Sequence, residues 1–229
     1  MPPMASGLSP GPSNKLRSPR SVPPSLKWER VLWRSGLRAI AGIDEVGRGP
    51  LAGPLVAAAV VLPPSPRRVP WLRSVRDSKL LSPARRESLD VAIRSLALAV
   101  GIGTVSAAAL DVIGVAEATR RAMGEALERL EMQVEHLLID ALTLPHELPQ
   151  TPLIHGDALC VSIACASIVA KVARDRMMDD LAPTFPGYGF SQNKGYGTPQ
   201  HLRALEELGP CTIHRRSFAP LRIEPEPES

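Results

Sequence analysis

Apolar positions along this chain change their period several times after about residue 38, and each change marks an element. Ala39 to Glu45 is a short apolar run ending in two acids, and Leu55 to Leu62 is a second, rich in Val and Ala and closed by prolines. Runs this short, rich in β-branched residues and bounded by Pro or Gly, predict buried strands. Ser82-Pro83 supplies a helix cap followed by proline at the first helical position, which predicts a helix to about Leu98. A third strand is expected over 99–105, then a helix over 107–132 broken near Gly114, then a fourth strand, His136 to Asp140, again ending in an acid. Leu153 to His155 reads as a short fifth strand leading into Gly156-Asp157. Over 161–182, Ile163, Ala166, Ala170, Ala173, Met177 and Leu181 recur at steps of three and four, which predicts a helix with one apolar face. Thr198-Pro199 opens a last helix, stopped by Gly209-Pro210. Strands come first and then alternate with helices. That order predicts an α/β fold with a mixed central sheet flanked by helices and a C-terminal helical region.

The ends lack such periodicity. Residues 1–36 hold seven of the chain's 24 prolines and many serines, and read as a disordered basic arm. Residues 37–222 read as the single folded domain, and 223–229 as a disordered acidic tail. Charge follows the same division. The formal net charge is +4, but residues 1–38 carry seven basic residues against Glu29, and Glu224, Glu226 and Glu228 close the chain. The body between is almost neutral, so composition points to an acidic partner only through the arm. The longest apolar run, 51–62, is interrupted by Pro54 and falls short of the about 20 residues that cross a membrane. No secretory h-region stands near the start; the Arg/Ser-rich, acid-poor start is also compatible with a transit peptide, but lacks amphipathic period. Three cysteines without Cys-x-x-Cys spacing fit reduced thiols and a cytoplasmic protein.

The acids are the informative feature. Asp44-Glu45 and Asp140 end strands, and Asp157 precedes the long helix. Neighbouring strand ends in an α/β sheet converge on one crevice. Carboxylates crowded there repel one another, and divalent cations with a preference for hard oxygen ligands, Mg²⁺ or Mn²⁺, relieve that repulsion. Two such ions suit phosphodiester displacement. Taken singly, each acid also fits a solvated loop residue. The glycine-rich turn after Glu45, Gly47-Arg48-Gly49, lets backbone approach a ligand. It is neither a phosphate-binding P-loop nor a dinucleotide fingerprint.

The segment Ile43-Asp44-Glu45-Val46-Gly47-Arg48-Gly49-Pro50-Leu51-Ala52-Gly53-Pro54 resembles the opening motif of the ribonuclease HII family. Five further blocks agree in order: Asp77-Ser78-Lys79-Leu80-Leu81-Ser82 with Arg86-Glu87; Ile139-Asp140; Gly156-Asp157 with Ser167 to Asp175; Asn193 to Thr198; and His214-Arg215-Arg216-Ser217-Phe218. The resemblance implies an RNase H-like fold and endonucleolytic cleavage of the RNA strand of RNA/DNA hybrids and of duplex DNA carrying a single ribonucleotide. Cleavage would leave 3′-hydroxyl and 5′-phosphate ends, serving ribonucleotide excision and RNA primer removal. It further implies that Asp44, Glu45, Asp140 and Asp157 are the catalytic acids and hold two divalent ions, Mn²⁺ or Mg²⁺. Gly47, Arg48 and Gly49 would read the ribose 2′-hydroxyl through the backbone, Tyr196 would cover the sugar of the adjoining deoxynucleotide, and Lys79, Lys171 and Lys194 would contact phosphates. A monomer with no evident protein partner is expected.

Two positions depart from the family pattern. Ala141 stands where glycine usually follows the third acid, and Gly114-Val115 replaces Asn-Ile at a possible substrate contact. His155 and His214 read as structural rather than metal ligands, and His214-Arg215-Arg216 reads equally as a phosphate clamp or as packing and ion pairing in the core. Arg174-Asp175 reads as an internal ion pair, and Cys160 and Cys165 as buried packing residues rather than reactive thiols. The alternative to an enzyme is a non-catalytic nucleic-acid-binding module that uses the basic arm, against which stands the presence of all four acids. Another two-metal nuclease of the same fold, ribonuclease HIII or type 1, is disfavoured by Gly47-Arg48-Gly49 together with Tyr196.

Overall fold

The computed structural model describes residues 23–64, 69–75 and 78–222. Lys15, Arg17 and Arg20 of the expected arm, Asp77 of the second motif, and the acidic tail lie outside the described residues. Five strands, β1 (Ile40–Val46), β2 (Leu55–Val61), β3 (Ala99–Val105), β4 (His136–Asp140) and β5 (Gln150–Leu153), form one sheet in the order β3-β2-β1-β4-β5. The first three pair antiparallel, and β4 and β5 run parallel to β1. The mixed sheet expected from element order is therefore present. The fifth strand lies earlier than expected, at 150–153, because its ladder partner is β4 and its register runs Leu137 opposite Gln150.

Helices cover both faces, and β2 shows why. All seven of its residues are buried. Leu55, Ala57, Ala59 and Val61 pack against Leu110, Ala122, Met123 and Ala126 of α3 (Ala107–Glu128). Ala58 and Val60 face α5 (Val161–Leu181) and Leu89 and Ile93 of α2 (Pro83–Leu96). Each Leu, Ile, Val or Met among them contributes about 1.5–3 kcal/mol on burial, against at most about 1 kcal/mol for an exposed ion pair, so apolar packing holds the helices in place. Gly42 lets α5 lie directly on β1: a Cβ there would stand 2.2 Å from the Ser162 carbonyl carbon. The expected single apolar face of α5 is too narrow. Every residue from Val161 to Ala170 is buried, because the sheet, α2 and the N-terminal segment enclose this half of the helix. Met178, rather than Met177, is the buried methionine of its last turns.

The largest departure is at the N-terminus. The disordered arm expected to reach residue 36 instead contains α1 (Lys27–Arg34). Trp33 packs with Ile40, Leu138, Leu153 and Ile163. Glu29, only 1% exposed, accepts hydrogen bonds from the Ser162 amide at 2.7 Å and the Cys160 thiol at 3.1 Å. α5 has no side-chain cap from its own Cys160, so a carboxylate from α1 satisfies its first turn, where the helix dipole favours negative charge. The helix is only eight residues long and follows a Pro/Ser-rich stretch, which is why it is hidden in the sequence. The remaining short helices are α4 (Gly156–Leu159), α6 (Phe190–Asn193) and α7 (Pro199–Leu208).

The family departures also have a structural reading. Gly114 breaks α3 at φ 78° and ψ 160°. Ala141 takes φ 56°, in the left-handed region where glycine is favoured. Ala141→Gly should therefore raise the unfolding free energy by about 1 kcal/mol in urea titration, less the entropy glycine adds to the unfolded chain. Glu29→Ala should lower it by about 2 kcal/mol, because the Ser162 amide is left buried without an acceptor, and Glu29→Gln should cost less because it keeps an acceptor oxygen.

Candidate active site

The sheet register builds the acid cluster. β1 and β4 run parallel with Ile43 opposite Ile139, so the next residues along, Asp44 and Asp140, stand side by side; Asp140 ends β4, while β1 continues past its acids to Val46, paired with β2. One carboxylate oxygen from each of Asp44, Glu45 and Asp140 lies within 4.8 Å of the others. Asp157 stands outside that set, half-buried in the first turn of α4. Hydrogen bonds orient two of the three: the Glu45 amide donates to Asp44 Oδ1 at 2.7 Å, and the Gly156 amide donates to Asp140 Oδ1 at 2.6 Å. A hydrogen bond from Ser167 of α5 favours the charged form of Asp44.

This arrangement is costly without a cation. Burial, then the charges of Glu45 and Asp140, hold the Asp44 carboxyl well above the usual carboxylate range, and Asp157 adds to the push. Burial raises Glu45 against the pull of Arg48, and raises Asp140 against the Gly156 amide, His155, Lys79 and Arg48. Three converging hard oxygen donors that repel one another are the donor set that a divalent cation fits.

The turn after Glu45 is fixed from below by two arginines, both fully buried. Arg215 donates to the carbonyls of Gly47 at 2.6 Å, Arg48 at 3.1 Å and Gly53 at 2.9 Å. Arg174 donates to those of Pro54 at 2.9 Å, Ala52 at 3.1 Å and Lys194 at 2.9 Å. Burial lowers both guanidinium groups, Arg215 to about 10. In a trans peptide C=O and N–H point oppositely. With the Gly47 and Arg48 carbonyls turned in to Arg215, the amides of Arg48 and Gly49 point away from it. Gly47 also has φ 90°, and a Cβ there would meet Arg174 Nε at 2.4 Å.

Tyr196 belongs to the same unit. The amides of Leu51 and Ala52 donate to the Gly195 carbonyl at 2.8 and 3.3 Å, which ties its turn to the glycine-rich loop. Its ring is 40% exposed and lies 5.7 Å from the Arg174 guanidinium and 6.0 Å from Lys171 Nζ. Lys171 pairs with Asp175 at 2.5 Å, and Lys194 pairs with Asp179 and donates to the Asp175 carbonyl. Lys79 is exposed in a short helical turn, close enough to Asp140 to favour its charged form. A cavity of about 420 Å³ lies between Arg86, Lys171, Asp175, Lys194 and Tyr196. A larger one, about 1030 Å³, runs along α3 and contains none of these residues.

Several expectations need correction. Arg174 does not pair with Asp175; it binds three carbonyls, and Asp175 pairs with Lys171 and Arg86. Arg215 neither clamps phosphate from the surface nor forms an ion pair among the described residues, because its partners are backbone carbonyls. Ser167, Arg174 and Arg215 are the supporting residues whose roles sequence reasoning missed. Cys160 and Cys165 are buried, with burial pushing both thiols up, as packing residues should be.

Comparison with known proteins agrees with this geometry. Residues 41–221 match the family model for Ribonuclease HII. Ribonuclease HII of Dehalococcoides mccartyi is 49% identical over 205 residues, covering 89% of this chain and 97% of that one. Ribonuclease HII of Geobacillus thermodenitrificans is 52% identical over 197 residues, covering 86% of this chain and 74% of that one. The crystal structure of ribonuclease H2 from Pyrococcus horikoshii superposes with a TM-score of 0.69 at 28% identity, covering 80% of this chain and 95% of that one. The fold is RNase H-like, and the chain belongs to the ribonuclease HII family of metal-dependent endonucleases.

Proposed function

We propose that the protein cleaves the RNA strand of RNA/DNA hybrids and cuts duplex DNA on the 5′ side of a single embedded ribonucleotide, leaving 3′-hydroxyl and 5′-phosphate ends. The observation that carries this reading is the placement of the outward Arg48 and Gly49 amides on the turn that begins two residues after Glu45, beside the acid cluster. Fixed donors there can bond a ribose 2′-hydroxyl, the one group that distinguishes RNA from DNA at a site. A matched deoxyribose would leave them unpaired, and that loss supports discrimination.

Asp44, Glu45 and Asp140, with Asp157 from α4, would hold two divalent ions, Mg²⁺ or Mn²⁺. When bound, such ions supply activation of the attacking water and stabilisation of the leaving 3′ oxygen. The chain's own residues do the rest. Ser167 and the Gly156 amide hold two of the carboxylates in place. Arg48, half-exposed and 3.4 Å from the largely buried Glu45, can turn to the substrate when Glu45 is neutralised by bound cations in its place. Lys171 and Lys194 already sit against carboxylates and can exchange these for phosphate oxygens, a replacement of one charge-assisted bond by another. Tyr196, held over two cations, presents a flat face to the next sugar. The reaction fits ribonucleotide excision and RNA primer removal in the cytoplasm. Among the described residues no helix is long and apolar enough to cross a membrane.

Incubation of a duplex bearing one ribonucleotide with protein and Mn²⁺ should give a single cut on the 5′ side of that ribonucleotide. Absence of cleavage, or a cut on the 3′ side, overturns the reading. Asp140→Asn should lower turnover by at least about 100-fold while duplex binding in gel-shift assays stays near that of the parent.

The raised carboxylates give a second expectation. Their folded pKa values lie above the unfolded ones, so the stability this site contributes is full below the unfolded carboxylate pKa, about 4, and is lost as pH rises through the folded values. In metal-free buffer Asp44→Asn should be more resistant to urea than the parent above that range, with the difference shrinking at lower pH. Mn²⁺ should raise the melting temperature of the parent and leave Asp44→Asn little changed.

A further inference from the structure

Two histidines outside the acid cluster are linked in series to the backbone of Tyr196, His201 directly and His214 through His201. His201 and His214 are 0% and 2% exposed and lie against the rings of Tyr188 and Phe190. His201 Nδ1 is 2.9 Å from the Tyr196 carbonyl oxygen, and His201 Nε2 is 3.0 Å from His214 Nε2. His214 Nδ1 is 2.9 Å from the Cys211 amide nitrogen, with the Cys211 thiol at 3.1 Å.

The chemistry of the end groups assigns every proton. A carbonyl only accepts, so His201 Nδ1 carries hydrogen. An amide only donates, so His214 Nδ1 is bare and the hydrogen of that ring is on Nε2. His201 Nε2, bare in a neutral ring, then accepts from His214. The result is one directed chain from the Cys211 amide through both rings to the Tyr196 carbonyl. An added proton would set N–H against N–H within it. Burial lowers both rings, His214 to about 4, and Arg216 pushes His214 the same way; the other groups that face the pair are Tyr188, Phe190 and Cys211.

Tyr196 needs such a hold. It lies between Gly195, at φ 83°, and Gly197, so its local chain constrains it weakly. Its carbonyl is fixed by the Thr198 amide at 2.8 Å and by His201. We infer that the His201–His214 pair is a positioning device for Tyr196, and through its ring sets the preference for a deoxyribonucleotide next to the ribonucleotide. This rests on the reading that Tyr196 covers the adjoining sugar.

Two measurements test it. In ¹⁵N NMR of the unmodified protein at neutral pH, His201 should be the Nδ1–H tautomer and His214 the Nε2–H tautomer. A charged ring, or His201 protonated at Nε2 alone, overturns the assignment. The kinetic test compares kcat/KM on two duplexes, one with the ribonucleotide followed by a deoxyribonucleotide and one with two successive ribonucleotides; the ratio cancels general loss of activity. His201→Leu should lower that ratio about tenfold, as should Tyr196→Ala, and the double variant should lose little more. His201→Asn, whose side-chain amide can still donate to the Tyr196 carbonyl, should stay within about twofold of the parent. His214→Leu, which leaves the Tyr196 contact but removes the outer partner, should fall between them and serves where His201→Leu does not fold. If Tyr196→Ala lowers the ratio and neither histidine-to-leucine variant does, the positioning role is wrong and the reading of Tyr196 stands. If Tyr196→Ala leaves the ratio unchanged, the reading of Tyr196 fails and the inference falls with it.

Discussion

Two guanidinium groups sealed beneath the glycine-rich loop are the constraint on which the rest of the site depends. Arg174 and Arg215 together bind the carbonyls of Gly47, Arg48, Ala52, Gly53, Pro54 and Lys194. Taking a cation out of water costs several kcal/mol, and only a full set of well-aligned acceptors offsets it. The planar fork of arginine supplies five donors in fixed directions, so the loop must turn its carbonyls toward them. Amide hydrogens then point the other way. A stretch of backbone becomes a donor surface without any side chain that could be read as a ligand.

The same two cations change the meaning of net charge. The folded body is nearly neutral, and the excess of positive charge belongs to the first 38 residues. Yet the two arginines sit directly under the loop, with no carboxylate among their hydrogen-bond partners in the described residues, and one of them lies 5.7 Å from the Tyr196 ring. Beside them three acids concentrate negative charge at the ends of β1 and β4. The site is therefore a local pairing of opposite fields, with the acid half completed by cations when these bind. Composition alone averages the two away.

Much of this was legible in the sequence because it follows from strand logic. Acids at the ends of apolar runs placed Asp44 and Asp140 together, and the parallel β1–β4 register is the physical reason. Helix caps at Ser82 and Thr198 were readable because capping is local. What stayed hidden involves partners without a side-chain signature. Arg174 and Arg215 bind backbone, so no complementary acid marks them. Glu29 caps a helix more than a hundred residues away, and α1, eight residues long after a Pro/Ser-rich stretch, passes for part of an arm. His201 and His214 meet only once the last helix folds back on the 211–215 segment. The left-handed Ala141 was recognisable as a position where glycine is usual, but its φ belongs to the structure.

The most direct test of this account is the cleavage of a single-ribonucleotide duplex by Arg215→Lys, measured alongside its Mn²⁺-dependent melting shift. Lysine keeps the charge but has a single ammonium that cannot hold the Gly47, Arg48 and Gly53 carbonyls together. The account predicts a loss in kcat/KM of at least about tenfold with the melting shift retained, because the guanidinium of Arg215 bonds the loop carbonyls rather than the acids. Cleavage at the parent rate would contradict it, since the loop would then hold its shape without the fork.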